Sequence, residues 1–306
     1  MDGFARPAEG SHELPAGGSL DMLSGRRAMG YYDETDLPFY YWLASEFAIG
    51  DRYFSSVPTS TWPNRMYSWA ATSFGWASND LAEADKTLPD YLDLREVSWK
   101  LYSSTTPTYA FFLSKYLALE EGHVVPFEEY YSDLENGTLP QVAFVEPAVG
   151  RGGFDQNDEH PPAIMQLGQE FSAQVIQALT KSQYWSRSAL FITYDEHGGL
   201  YDHVEPPPAC PPDDLVEPLA NGTLPRFDRY GVRVPFIVVS PFAKKHYVSH
   251  RIYDHTSIVR FIQARFVIPA LTARDANAEP PWDIFDLAHP PHLAPPSHNP
   301  PPVVAH

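Results

Sequence analysis

Ser188-Ala189-Leu190-Phe191-Ile192-Thr193-Tyr194 runs directly into Asp195-Glu196-His197-Gly198-Gly199-Leu200-Tyr201-Asp202-His203. The first seven residues are a continuous apolar run of strand length. A run without polar alternation is what a strand covered on both faces looks like. The next nine hold three carboxylates, two imidazoles and a Gly-Gly turn. In sheets covered by helices, ligands bind beyond the carboxyl ends of the strands. Carboxylates and imidazoles are the donors that a hard or borderline divalent cation takes. The glycines let backbone pass close to an ion or a phosphate. A solvated polar turn explains one such residue, but not this density after a buried strand.

Outward from this stretch the pattern repeats. Val234-Pro235-Phe236-Ile237-Val238-Val239 is a second apolar run, and Gln141-Val142-Ala143-Phe144-Val145 reads as a short buried strand ended by Glu146-Pro147. Ile164, Leu167, Phe171, Val175 and Leu179 line one face of an amphipathic helix, and a last helix is predicted over His255 to Phe266. Asp36 is the expected N-cap of a helix carrying Phe39, Trp42, Leu43 and Phe47. Strands alternating with helices predict an α/β fold with a mixed, mainly parallel sheet sandwiched by helices. Residues 1–30 read as irregular. Residues 51–75, rich in Ser, Thr, Pro and Asn, read as an ordered loop crossing a surface. The nine prolines from Glu279 to His306 predict a tail outside the core.

Composition bounds the function. The chain has 306 residues, with 21 Lys plus Arg against 39 Asp plus Glu, a formal charge of −18. A broad acidic surface excludes sequence-independent nucleic-acid binding and disfavours lasting adhesion to anionic lipid. Cys210 is the single cysteine, which excludes an internal disulfide and a Cys-based zinc site. No stretch of 18 apolar residues spans a bilayer, and Met1-Asp2-Gly3-Phe4-Ala5-Arg6-Pro7 carries no signal-peptide pattern.

Three more segments fit the same scheme. Asn157-Asp158-Glu159-His160-Pro161-Pro162 precedes a helix whose N-terminus suits an anion, although an ordinary turn explains it equally. Tyr253-Asp254-His255-Thr256-Ser257 reads first as an N-cap followed by a core histidine. Ser56 to Arg65 places Thr61 beside Asn64 and Arg65, a hydroxyl next to phosphate-binding donors; on chemistry alone a loop of turn residues explains it better.

Taken together and in order, Thr61-Trp62-Pro63-Asn64-Arg65, Asn157 to Pro162, Asp195 to Gly199 with Asp202-His203-Val204, Arg233 to Phe242, and Asp254 to Ser257 resemble the phosphoesterase family of non-specific phospholipases C and bacterial acid phosphatases. The resemblance runs from about Met29 to Leu287. It implies an alkaline-phosphatase-like fold in a domain over 31–287, between an irregular segment 1–30 and a Pro-rich tail 288–306. It implies Thr61 as nucleophile, Asp195 and Glu196 as ligands of one or more divalent ions (Ca, Mg, Mn, Zn or Fe), and His160 and His203 as proton donors or phosphate contacts. Asn64, Arg65, Asp158, His197, Asp202, Asp254 and His255 are implied to bind or orient phosphate. The family pattern also holds a strand and a Glu-Asn-Arg-Ser-Phe-Asp-His segment near the N-terminus. This sequence has no such segment, so two metal ligands and one central strand are expected to be absent. The implied substrates are phospholipids or small phosphate esters, with at most transient membrane contact, and the family suggests a secreted or periplasmic setting. The alternatives are a weakly active or inactive remnant that only binds phosphate or a partner, an acid phosphatase on monoesters and, last, a sulfatase-like hydrolase.

Overall fold

A computed structural model describes residues 27–80, 84, 86–105, 122–150 and 156–298. Among the described residues the helices are α1 (Pro38–Glu46), α2 (Thr61–Ala70), α3 (Leu88–Leu94), α4 (Glu128–Asn136), α5 (Met165–Lys181), α6 (His255–Phe266) and α7 (Ala273–Ala276). The strands among the described residues are β1 (Ala48–Gly50), β2 (Trp99–Ser103), β3 (Val124–Pro126), β4 (Val142–Glu146), β5 (Leu190–Thr193), β6 (Phe236–Val239) and β7 (Tyr247–Ser249). They form two sheets, in the orders β5-β6-β1-β7 and β3-β2-β4. Parallel pairing joins β2 to β3, β2 to β4 and β1 to β7, while β6 runs antiparallel to β1 and β5. The pairing is therefore mixed and mainly parallel.

Strand β2 shows why helices cover both faces. Successive side chains on a strand point to opposite sides. Trp99 and Leu101 join a buried cluster with Met66 of α2, Leu88 and Leu92 of α3 and Val259 of α6. Lys100 and Tyr102 point the other way, and both bond Asp133 of α4 at 2.6 Å. On that side the main core gathers Phe39 and Leu43 of α1, Leu134 of α4 and Phe171, Ile176 and Leu179 of α5.

Several boundaries follow the sequence reading: α6 spans the predicted residues, and β4, β5, β6 and α5 lie within a few positions of theirs. Three readings are corrected. Asp36 does not cap α1; Leu37 occupies that position, and Asp36 accepts from the Asp33 amide instead. Residues 51–75 are not a surface loop. They contain α2, whose Pro63 sits in the first turn, where its missing N–H costs nothing, and which buries Met66, Tyr67 and Trp69. The Pro-rich end does not leave the core as far as His298: Ile284 is fully buried, and the ring of buried His292 lies 4.5 Å from that of Phe47. Residues 1–26 and 299–306 lie outside the described residues.

One buried cation ties the loops to α6 and α7. Arg274 is 1% exposed and donates to the carbonyls of Ser56 (2.8 Å), Phe227 (2.7 Å) and Cys210. Its guanidinium lies 3.8 Å from the equally buried carboxylate of Asp254. Removing one member of a buried pair leaves the other charge uncompensated, which costs about 3–5 kcal/mol. Arg274→Met is therefore expected to lower the unfolding free energy by that amount. Chemical denaturation checks it, and an unchanged midpoint would refute it.

Candidate active site

The carboxyl ends of β4 and β5 open into one cavity of about 1340 Å³. Its wall at this end carries Thr61, Arg65, Glu146, Asp158, His160, Asp195, Glu196, His197, Asp202 and His255. Arg65, on the second turn of α2, spans the mouth. Its Nη1 donates to Glu146 Oε1 at 3.1 Å and its Nε to Asp195 Oδ2 at 3.0 Å. Thr61, buried, opens α2 one turn earlier on the same wall. A hydroxyl at a helix N-terminus sits in the positive end of the helix dipole, which favours both its ionisation and a bound anion.

The acidic loop after β5 is held from beneath. His255 is buried; its Nε2 donates to the Asp195 carbonyl at 2.7 Å, and its Nδ1 meets the Tyr53 hydroxyl at 3.0 Å. Donation from Nε2 leaves Nδ1 as the acceptor in the neutral ring. Burial lowers its pKa and keeps the ring neutral, against the pull of Asp254 and Asp195. His255 therefore props the loop and does not offer a proton to the cavity. Glu196 takes the Gly198 amide at 2.7 Å. Burial raises its pKa, and the neighbouring Asp195 adds to the rise. Gly198 has a φ of +62°, and a Cβ there would approach Pro161 Cγ to 2.8 Å, so the loops after β4 and β5 touch only because Gly198 has no side chain.

The segment before α5 contributes Asp158 and His160. Asp158 Oδ1 accepts from Gln156 at 2.6 Å and from the His160 amide at 3.2 Å, while its Oδ2 is buried without a hydrogen-bond partner. The His160 ring is exposed, with Nδ1 2.9 Å from the Pro161 carbonyl. Between them Glu159 turns inward at φ +62°, a conformation that costs a non-glycine residue about 1 kcal/mol or more. Its carboxyl meets the hydroxyls of Tyr40 (2.8 Å) and Tyr194 and packs over Gly168 of α5, where any side chain would collide with it.

Of the remaining implied residues, Asn64, Asp254 and His203 lie off the cavity, and Asp202 is on its wall but held in an ion pair. Asn64 is fully buried and spends its amide on the Val57, Thr59 and Ser60 carbonyls and the Val57 amide, so it shapes the loop before α2 and does not line the cavity. Asp254 is the N-cap of α6: its amide donates to Ser257 Oγ at 3.1 Å, and its carboxylate takes Ser56 and Thr256. His203 is mostly exposed, off the cavity, with Nδ1 3.6 Å from Asp202. Asp202 is held by both arms of Arg233, at 2.7 and 2.8 Å. Burial pushes the Asp202 carboxyl upward, but Arg233 brings it below the usual carboxylate range. Sequence reasoning named the segments of Arg233, Glu159 and Glu146 but assigned these three no role. The signal for each was its place in a named segment or at a strand end.

Divalent cations take four or more ligands. Among the described residues no group of three or more His, Cys, Asp or Glu gathers closely enough to hold one. Asp195 Oδ2 is engaged by Arg65 and Glu196 Oε2 by the Gly198 amide. The described residues therefore do not complete a cation site around Asp195 and Glu196.

The family described as Phosphoesterase family matches residues 1–269. Non-specific phospholipase C1 of Arabidopsis thaliana is 37% identical over 302 residues, covering 91% of this chain and 54% of that protein. The chain spans about half the length of the curated relatives it matches. A solved protein from work on glycosaminoglycan metabolism by Bacteroides thetaiotaomicron superposes with a TM-score of 0.52 at 10% identity, over 81% of this chain and 76% of that one. A protein in the alkaline phosphatase superfamily from Vibrio parahaemolyticus gives 0.46 at 13% identity, over 79% and 64%.

Glu159 supplies a pH test of this end of the cavity. Burial pushes its carboxyl from 4.5 to about 7, although the two tyrosine hydroxyls pull it back. The folded protein therefore holds this proton where the unfolded chain releases it. The contribution to stability is full below about pH 4.5 and is lost as the pH rises through about 7. Glu159→Gln stays neutral throughout. Its stability relative to wild type should rise by roughly 3 kcal/mol from pH 4.5 to above 7. Thermal melts of both proteins across that range check it, and a constant difference would refute it.

Proposed function

Because the chain belongs to the phosphoesterase family, we propose that it hydrolyses phosphate esters in the manner of a phospholipase C, with Thr61 as nucleophile. The observation that carries this reading is the shared cavity wall: Thr61 at a helix N-terminus, facing the same space as Asp195, Glu196 and an exposed imidazole, His160. The likeness to a relative named phospholipase C supports a phosphodiester of a lipid as the substrate.

In this reading the phosphate sits at the N-terminus of α2, held by the helix dipole and the Arg65 guanidinium. Thr61 Oγ1 gives its proton to a carboxylate of the Asp195–Glu196 pair and attacks phosphorus. The bond from phosphorus to the alcohol oxygen breaks, and the protonated His160 ring donates to that oxygen. Water then attacks the phospho-threonine. His160 takes its proton, the Thr61–phosphorus bond breaks, and Thr61 recovers the proton left on the carboxylate. His255 and the Asp202–Arg233 pair hold the loops that carry these groups. A divalent cation, when bound, would neutralise the phosphoryl oxygens. The incomplete ligand set around Asp195 favours a second reading, in which the chain binds phosphate with little turnover.

Purified protein assayed with p-nitrophenylphosphorylcholine, with and without added divalent metal, separates the two. Release of p-nitrophenol that falls at least about a hundredfold in Thr61→Ala and in Asp195→Asn is the expected result. Equal rates in wild type and both variants would overturn the site. Absence of turnover with every metal, alongside inorganic phosphate that raises Tm, would support the binding-only reading.

A further inference from the structure

The chain that leads into α1, Ala28-Met29-Gly30-Tyr31-Tyr32, lies against the acidic loop after β5. The Tyr201 amide donates to the Ala28 carbonyl at 2.6 Å. On its other side the Tyr41 hydroxyl of α1 donates to the Tyr32 carbonyl at 3.2 Å. These bonds hold three stretches side by side: residues 28–32, the start of α1, and 200–201. Tyr32, Leu37 and Tyr40 line the cavity from one side, and Leu200 and Tyr201 from the other. The three stretches are therefore part of the rim of the cavity that holds Thr61, Asp195 and Glu196.

What this rim shows to water is aromatic and apolar. Tyr31 is 84% exposed, and Met29, Tyr32, Tyr41 and Tyr201 are exposed too. One exposed apolar residue is ordinary, but five on linked stretches at a cavity rim make a patch. The charge beside it has one sign. Asp33, Glu34 and Asp36 follow the paired tyrosines, and residues 28–46 contain no Lys, Arg or His. Across the seam Asp202 follows Tyr201, and Arg233 is engaged by Asp202.

We propose that this rim is the surface by which the protein docks on a bilayer of choline-headed lipid, with the cavity mouth turned to the membrane. Such a bilayer presents quaternary ammonium groups outermost. Aromatic faces attract that cation, and neighbouring carboxylates add to the attraction. A tyrosine buries its ring among headgroups and keeps its hydroxyl in water, so the residue type suits a membrane interface. Anionic lipid lacks the cation and is repelled by the carboxylates. A second copy carries the same acidic rim on a chain of charge −18, so self-association through it is opposed. Docking this way brings lipid headgroups to the cavity of Thr61, and to that extent the inference rests on the proposed reaction.

The test is co-sedimentation of the full chain with vesicles of phosphatidylcholine or of phosphatidylglycerol. Binding is read as sedimented protein and turnover as released headgroup phosphate, so either reading can fail alone. The protein is expected to bind phosphatidylcholine at least about tenfold better than phosphatidylglycerol. The double variant Tyr31→Ser, Tyr41→Ser should keep the wild-type melting curve and lose at least about tenfold in binding to phosphatidylcholine. The double variant Tyr31→Trp, Tyr41→Trp should bind as well as wild type or better, because indole offers the stronger π face. Equal binding to both lipids, binding to neither, or equal effects of the Ser and Trp variants would overturn the proposal. So would a wild-type dimer in solution that the Ser variant dissociates, which assigns the rim to a second copy. If the Ser variant does not fold, the two lipids and the Trp variant still decide.

Discussion

The guanidinium of Arg65 is the interaction on which the arrangement turns. It bonds Glu146 at the end of one sheet and Asp195 at the end of the other, and among the described residues no backbone ladder joins those sheets. Arginine suits this place because its donors form a rigid planar fork that serves two carboxylates at once and is always charged. Without it, the buried carboxylate of Glu146 and the partly buried one of Asp195 would face each other over a gap with no cation between them. The ion pairs set where the acidic loop sits, and the loop sets where Glu196, His197 and Asp202 sit. Arg65 also belongs to the helix that presents Thr61, so one side chain fixes the candidate nucleophile relative to the acidic cluster.

Beneath that contact, the site rests on groups that never reach the cavity as reactants. His255 bonds a backbone carbonyl, Asn64 braces the loop before α2, Asp254 caps α6, and Arg274 offsets the buried charge of Asp254. Several residues that look like phosphate ligands in a linear sequence are thus the frame for the few that face the open space.

How much of this was legible depends on the range of the interaction. Helix α6 was readable because its cap and its apolar period lie within a dozen residues. Strands β4 and β6 were readable as short apolar runs. The acidic loop was readable because its density of ligand-type residues is local. Helix α2 was not, since Pro63 and Asn64 carry turn propensity and the helix is stabilised by burial of Met66 and Trp69 against distant partners. Glu159 carries no signal of its own within its segment; its inward turn depends on Tyr40, 119 residues earlier, and Tyr194, 35 later. The Pro-rich end was read by composition, which cannot report that His292 finds a ring to pack on at Phe47.

Among the described residues no strand pairs the outer edges of β4 and β5, and this bears on how the molecules meet one another in solution. A bare strand edge is a template for pairing with a neighbouring copy. This chain carries a formal charge of −18, so two copies repel before their edges come into register. That repulsion reaches about 10 Å at 0.1 M salt and about 3 Å at 1 M. Colloidal stability is therefore set by ionic strength: dilute buffer keeps the copies apart, and concentrated salt removes the barrier that protects the open edges.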